Sequence, residues 1–116
     1  MEESILKSTK KSLGLDAAYT PFDLDILICI NSALGTLSQI GVLPNAGFSV
    51  ADATDTWSEL NLSMPMLGMV KSYIYVKVRV LFDPPATSFL LSAYQEQSKE
   101  YEWRLKTLKE YETSLL

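Results

Sequence analysis

Histidine is absent from this 116-residue chain, and cysteine occurs only once, at Cys29. Without histidine, a His-activated nucleophile or one of the usual zinc ligand sets cannot be assembled, and no Gly-rich phosphate loop is present. A single thiol cannot form an internal disulfide, and Cys29 lies in an apolar run where a buried structural thiol is expected. The sequence therefore predicts an intracellular protein that is not an enzyme, with no catalytic residues, no metal site and no cofactor.

Lysine and arginine are also missing from a long stretch, between Ser12 and Val70, although six acidic residues lie there. The net charge of −4 gives no general reason to expect tight phosphate binding. Segregated charge can produce one acidic and one basic surface, which suits identical subunits that dock head to tail. Uneven charge that arises by chance in a small chain is the alternative.

A membrane-targeting segment is not recognisable. The N-terminal residues MEESILKSTKKSLG lack the apolar core of a secretory signal. Residues 64–82 are almost long enough to cross a bilayer, but three cationic side chains interrupt them, so a soluble core helix is expected.

The composition, 47% hydrophobic and 21% charged residues, is typical of a single folded domain of this size. The spacing of the apolar residues predicts that this domain is helical. The predicted fold is an all-α bundle of about four to five helices with a long C-terminal helix and at most one short extended loop segment. The predicted elements are an amphipathic helix over 4–13 ended by Gly14, a helix from Pro21 to Gly41, a loop over 42–51, a short helix opened by Asp52 that contains Trp57 and Leu60, and helices over 66–82 and 87–113.

The start of the second helix carries a close pair of carboxylates, Asp23 and Asp25. Thr20 is suited to cap this helix, Pro21 fits its first turn, and Asp23 can complete a capping box. Capping and the helix dipole explain both acids, so neither is predicted to be catalytic or to bind metal. The apolar stripe predicted to face the core comprises Leu24, Leu27, Ile28, Leu34, Leu37 and Ile40.

The segment 66–82 fits two patterns. Alternation of Tyr75, Lys77 and Arg79 with valines is typical of a half-buried strand, whereas Val70, Ile74 and their neighbours follow a helical stripe. About 17 residues is long for a strand and ordinary for a helix, so the helix is predicted. The sequence KSYIYVKVR also alternates basic and aromatic residues, as some nucleic-acid-binding surfaces do.

Pro84 and Pro85 end that helix and turn the chain in a new direction. Residues 1–85 are therefore predicted to form a helical core, and residues 86–116 a long helical arm that reaches outward within the same domain. The arm is expected to dock a partner through its aromatic and leucine side chains, although a helix that folds back on the core is the alternative. The predicted docking residues are Tyr94, Tyr101, Trp103, Leu105, Leu108 and Tyr111.

Five stretches of the sequence resemble the small head–tail connector (adaptor) proteins of long-tailed bacteriophages. They are DLDILICINSAL over 23–34, LSQIGV over 37–42, FSVADATDTW over 48–57, VKSYIYVKVRVLFDPP over 70–85 and EWRL over 102–105. The segment 70–85, followed by a long amphipathic helix, is the most specific of them, and the resemblance covers nearly the whole chain.

The resemblance implies a structural virion protein, assembled in the host cytoplasm, that forms a ring of about twelve identical subunits beneath the portal. Such a ring extends the DNA channel and docks the next head-completion or tail protein, with double-stranded DNA passing through without sequence-specific binding. Residues 94–116 would engage the portal, and Lys71, Lys77 and Arg79 would face the lumen or a neighbouring subunit. The alternative is a small helical binding or regulatory protein that acts through its C-terminal helix.

Overall fold

The computed structural model describes residues 3–43 and 48–115. Its elements are α1 (Ile5–Ser12), α2 (Asp23–Gln39), a 3₁₀ helix (Trp57–Leu60), α3 (Met64–Phe82) and α4 (Ser88–Ser114). The predicted all-α fold with a long C-terminal helix is confirmed. Part of the predicted 42–51 loop, residues 44–47, lies outside the described residues, and the extended piece expected beside it forms no strand over 48–50.

The central element is α3, which packs against α1, α2 and α4. Its segment was predicted to be a helix rather than a strand, and this is confirmed. Ser63 caps α3 by accepting a hydrogen bond from the Met66 amide, and a proline occupies the first turn, where its missing donor costs nothing. Val70, Tyr73 and Ile74 are fully buried and form the middle of the core.

The first helix, α1, forms as the sequence predicts. Ser4 caps it, and Gly14 follows its end with a φ of +82°, a conformation that favours glycine. Ile5 and Leu6 are buried in the core. The indole of Trp57 donates a hydrogen bond to the Ser8 hydroxyl at 2.8 Å, which ties the 3₁₀ helix to α1.

The capping box predicted for α2 is wrong. The helix begins at Asp23, after a turn, and its N-cap residue Phe22 makes no side-chain capping bond. The Asp23 carboxylate instead lies 2.7 Å from the ammonium of Lys10, which is only 1% exposed. A buried ammonium needs a partner, and this ion pair joins the end of α1 to the start of α2. The predicted end at Gly41 is confirmed, with a φ of +84°.

The predicted core stripe of α2 is wrong at two positions of its first two turns, although Leu27 does pack against the core. Leu24 and Ile28 are 71% and 61% exposed, whereas Ile26 and Ile30 are fully buried. The start of this helix is apolar on almost every side, so spacing alone does not identify the side that faces the core. The later positions of the stripe agree better, since Leu34 and Leu37 are fully buried.

The short helix also begins later than predicted, at Trp57 rather than just after Asp52. The carboxylate of Asp52 accepts hydrogen bonds from Thr54, which lower the pKa of Asp52, and the carboxylate of Asp55 accepts from the amide of Ala51 at 2.7 Å. These acids close a turn ahead of the helix instead of capping it, as short polar side chains commonly do.

The long helix α4 does not reach outward as an arm; it folds back antiparallel along α3. The Ser63 hydroxyl at the start of α3 donates to Glu112 near the end of α4 at 2.6 Å, and the Tyr73 hydroxyl donates to Glu102 at 2.8 Å. The helix turns back because the apolar positions on one side of it, Leu105 above all, find burial against the core.

Candidate subunit and partner interfaces

The inner face of α4 contains four of the six residues predicted to dock a partner. Leu105 is fully buried, Tyr101 and Leu108 pack against the core, and Tyr94 is half-buried. Leu105 is therefore covered by its own chain and is not available to a partner in this fold. The sequence predicted Leu105 to dock a partner because residue spacing does not reveal which part of the chain covers a side chain.

The outer face of α4 carries the other two predicted docking residues. Trp103 and Tyr111 are 67% and 61% exposed, and Phe89 at the start of the helix is 85% exposed. At 3.6 residues per turn these three aromatic residues lie within an arc of about 80°, on the side of the helix opposite Leu105. The outer face of α4, defined by Phe89, Trp103 and Tyr111, is thus aromatic and uncovered. Their role in docking stays a prediction.

A polar contact fixes how α4 sits on α3. Glu102 accepts a hydrogen bond from the buried Tyr73 hydroxyl and lies 3.8 Å from the ammonium of Lys77. Burial and the neighbouring Glu102 carboxylate raise the pKa of Tyr73, so this phenol stays protonated and keeps donating. The Glu102 carboxylate thus contacts α3, whereas Glu100 pairs with Arg104 along α4 itself at 3.1 Å.

The three cations predicted to face a lumen or a subunit interface each have an acidic partner in their own chain. Lys71 pairs with Glu3 at 3.1 Å and lies 5.5 Å from the centre of a ring of Trp57. Lys77 pairs with Glu102, as described above. Arg79 donates to the carbonyl oxygen of Asp83 at 2.7 Å, and its Nε lies 3.9 Å from the Asp83 carboxylate. The cationic ridge that the sequence predicts is therefore largely neutralised.

A second uncovered apolar surface is a groove between α2 and the end of α3, which the sequence did not indicate as a site. Its volume is about 660 Å³, and it is lined by Leu15, Phe22, Asp25, Ile28, Cys29, Leu81, Phe82 and Asp83. Phe22 and Phe82 meet edge to face at 5.5 Å and form one side of it. We call this feature the α2–α3 groove.

The rim of the α2–α3 groove is acidic, with Asp25 exposed on α2 and Asp83 at the end of α3. Cys29 lies half-buried in the groove, and burial together with Asp25 raises the pKa of its thiol. A signal for the groove was present in the sequence. Residues 26–30 are apolar without interruption, a broader surface than a helix needs to pack on one neighbour.

Within residues 3–43 and 48–115, no group of three or more His, Cys, Asp or Glu side chains is arranged to hold a metal ion. Over the same residues, no helix combines the length and apolarity needed to cross a bilayer.

A small helical chain that leaves apolar surfaces uncovered on separate elements has the features of a protein that binds other proteins. The family model described as phage connector protein matches residues 5–112, and the chain belongs to that family. It is therefore a structural connector component of a phage virion, as the resemblance noted in the sequence implies. No curated protein and no solved structure matches the chain.

Proposed function

We propose that this chain is a head–tail adaptor that assembles into a ring of about twelve copies beneath the portal vertex. The ring extends the portal channel and offers a surface on which the next head-completion or tail protein docks. The observation that supports this most is the pair of uncovered apolar surfaces, the outer face of α4 and the α2–α3 groove. A solitary subunit leaves both in water, whereas neighbours in a ring can cover them.

The proposed mechanism is assembly without catalysis. Identical head-to-tail contacts close into a ring only when each contact rotates the next subunit by a fixed fraction of a turn. The portal supplies the template for that rotation, and the C-terminal region from Tyr94 onward is the part we expect to engage it. Assembly takes place in the host cytoplasm, before the head–tail junction is complete.

DNA passes through the lumen of the proposed ring without tight binding. Lys71, Lys77 and Arg79 remain our prediction for the lumen or the subunit interface, and each already has a carboxylate partner. Affinity for DNA depends on the number of cations that can neutralise phosphates, so three proposed cations per chain and a net negative charge favour loose contact. Loose contact is what a channel for genome ejection requires.

Negative-stain electron microscopy of the concentrated full-length protein, combined with light scattering, tests the ring. We expect closed rings with a central channel; an order other than about twelve is compatible with the proposal, because the portal template is absent from the sample. A protein that remains a monomer or a dimer at every concentration, and also when mixed with portal rings, would contradict the proposal and favour a regulator that acts through α4.

A further inference from the structure

We propose that Trp103 on the outer face of α4 inserts into the α2–α3 groove of the next copy of this chain. This inference rests on the proposed ring, and it identifies the surfaces through which the subunits join. Each subunit then contributes one tryptophan and one groove, on different helices.

The shape and apolarity of the two surfaces match. The groove, at about 660 Å³, lies within the size range of sites that enclose a small organic group. Its aromatic lining, Phe22 and Phe82, suits an indole, because aromatic rings pack edge to face and bury a large area each. Trp103 is 67% exposed, and tryptophan is among the residues that contribute most to protein interfaces.

Charge selects a second copy of this chain as the occupant. Lys99 and Lys106 lie about one turn on either side of Trp103, and Arg104 follows it directly. Glu100, also about one turn before Trp103, pairs with Arg104, so the remaining charge on this face is positive. The rim of the groove carries Asp25 and Asp83, of which Asp83 also lies 3.9 Å from Arg79 in its own chain. The cations near the tryptophan thus face the acids at the groove. Such complementary charges speed the association of two copies and disfavour contacts that bring like charges together.

The cations near Trp103 can exchange partners at little cost. Arg104 pairs with Glu100 at 3.1 Å and Lys99 with Glu96 at 3.6 Å, and all four side chains are more than half exposed. Surface ion pairs of this kind contribute roughly 0–1 kcal/mol each, so they do not prevent the cations from turning to the groove.

The proposed ring requires this contact to be head to tail, with the tryptophan of one copy entering the groove of the next and no exchange back. The groove involves α2 and the end of α3, whereas Trp103 points away from α3 on the outer side of α4. A contact between two different surfaces leaves a free tryptophan at one end and a free groove at the other. Such a contact closes into a ring or continues as a filament, in contrast to a twofold contact, which stops at a dimer.

Cys29 provides a direct test, because the only thiol of the chain lies in the groove. Thr107 is exposed one turn after Trp103 on the same face of α4, so Thr107→Cys places a second thiol beside the inserted tryptophan. The matched control is Glu59→Cys, an exposed position on the 3₁₀ helix. Mild oxidation should be carried out at alkaline pH, because the raised pKa of Cys29 limits its reactive thiolate.

We expect Thr107→Cys to form a ladder of disulfide-linked dimers, trimers and higher species, since each copy carries one thiol of each kind. Adding Trp103→Ala should reduce crosslinking about tenfold or more, and adding Cys29→Ser should abolish the ladder. The inference is overturned if Thr107→Cys crosslinks no faster than Glu59→Cys, or if the products stop at dimers.

Electron microscopy of Ile28→Glu separates this inference from the ring itself. Ile28 lines the groove but is 61% exposed, so the variant is expected to fold, and circular dichroism with thermal unfolding checks this. Loss of rings in a folded Ile28→Glu protein supports the inference. Rings from Ile28→Glu like those of the unaltered protein would overturn the groove contact and leave the ring standing. If the unaltered protein forms no rings, either alone or mixed with portal rings, the ring itself is overturned.

Discussion

Two helices, α2 and α4, pack against the same central helix but are held in different ways. On α2, five apolar or small residues are buried, including Ile26, Ile30 and Leu34. On the longer α4, only Ser98 and Leu105 are buried, and hydrogen bonds from Tyr73 and Ser63 complete the contact. Hydrophobic burial therefore holds α2 in place, whereas α4 combines a narrower apolar contact, through Leu105, Tyr101 and Leu108, with polar contacts that fix its orientation.

This difference bears on function. Apolar burial supplies most of the free energy of folding, while directional hydrogen bonds contribute less but define one arrangement. A helix held by specific polar contacts can keep its outer side correctly oriented for a neighbouring subunit. The difference between α2 and α4 predicts a graded series of effects on stability.

The largest loss of stability is expected from a substitution on the side of α2 that faces the core. Ile30→Ala should lower the free energy of unfolding by about 2–5 kcal/mol, because it removes a fully buried side chain and leaves a cavity. Urea denaturation followed by circular dichroism measures this. The matched control is Ile28→Ala on the exposed side of the same helix, for which about 0.5 kcal/mol or less is expected. Equal losses in the two variants would contradict the orientation of α2.

A smaller effect is expected where α4 meets α3. Glu102→Gln should cost about 1–3 kcal/mol, because it weakens the hydrogen bond from the buried Tyr73 hydroxyl and removes the partner of Lys77. A double-mutant cycle with Tyr73→Phe, measured by urea denaturation, isolates the direct contact. Effects that simply add would mean that these two groups do not interact.

Alkaline pH offers a second test of the same contact. The raised pKa of Tyr73 means that the folded protein keeps the phenolic proton where the unfolded chain loses it, above about pH 10. The stability that the protonated Tyr73 phenol gives the folded protein is therefore fully present below about pH 10, and it is lost as the pH rises further. The decline in the urea midpoint should be shallower in Tyr73→Phe. An identical decline in both proteins would show that Tyr73 does not titrate abnormally.

The smallest effect is expected on the exposed side of α4. Glu100→Gln removes the ion pair with Arg104 and should cost only about 0.3–0.5 kcal/mol, because both side chains are more than half exposed to water. The thermal midpoint in low and high salt measures it, and the difference from the unaltered protein should shrink in high salt. A loss of stability as large as that of Glu102→Gln would mean that contacts on the exposed side of α4 contribute as much as those on the side that faces α3.

Much of the fold could be predicted from local signals. Glycines at positions 14 and 41 and the proline pair at 84–85 mark where helices end, and each helix does end there. The residues at which the helices begin were predicted less well. At α2, the carboxylate of Asp23 pairs with Lys10, which lies thirteen residues earlier in the sequence, and local capping rules do not include such a tertiary contact.

The candidate interfaces were harder to predict, because exposure depends on which neighbour covers each side chain. Leu105 and Leu108 were predicted to dock a partner together with Trp103, because the sequence could not show that the fold covers the first two and leaves the third exposed. The α2–α3 groove joins residues from the start of α2 and the end of α3, more than fifty positions apart in the chain. Only the tertiary fold brings them together.

Sedimentation velocity of two variants, separately and mixed, tests most directly whether copies of this protein bind one another through Trp103 and the α2–α3 groove. Trp103→Ala keeps the groove, and Ile28→Glu keeps the tryptophan. Each alone should remain monomeric, and an equal mixture should form a 1:1 dimer and stop there, because one intact contact remains. A mixture that stays monomeric, or single variants that assemble like the unaltered protein, would contradict the account.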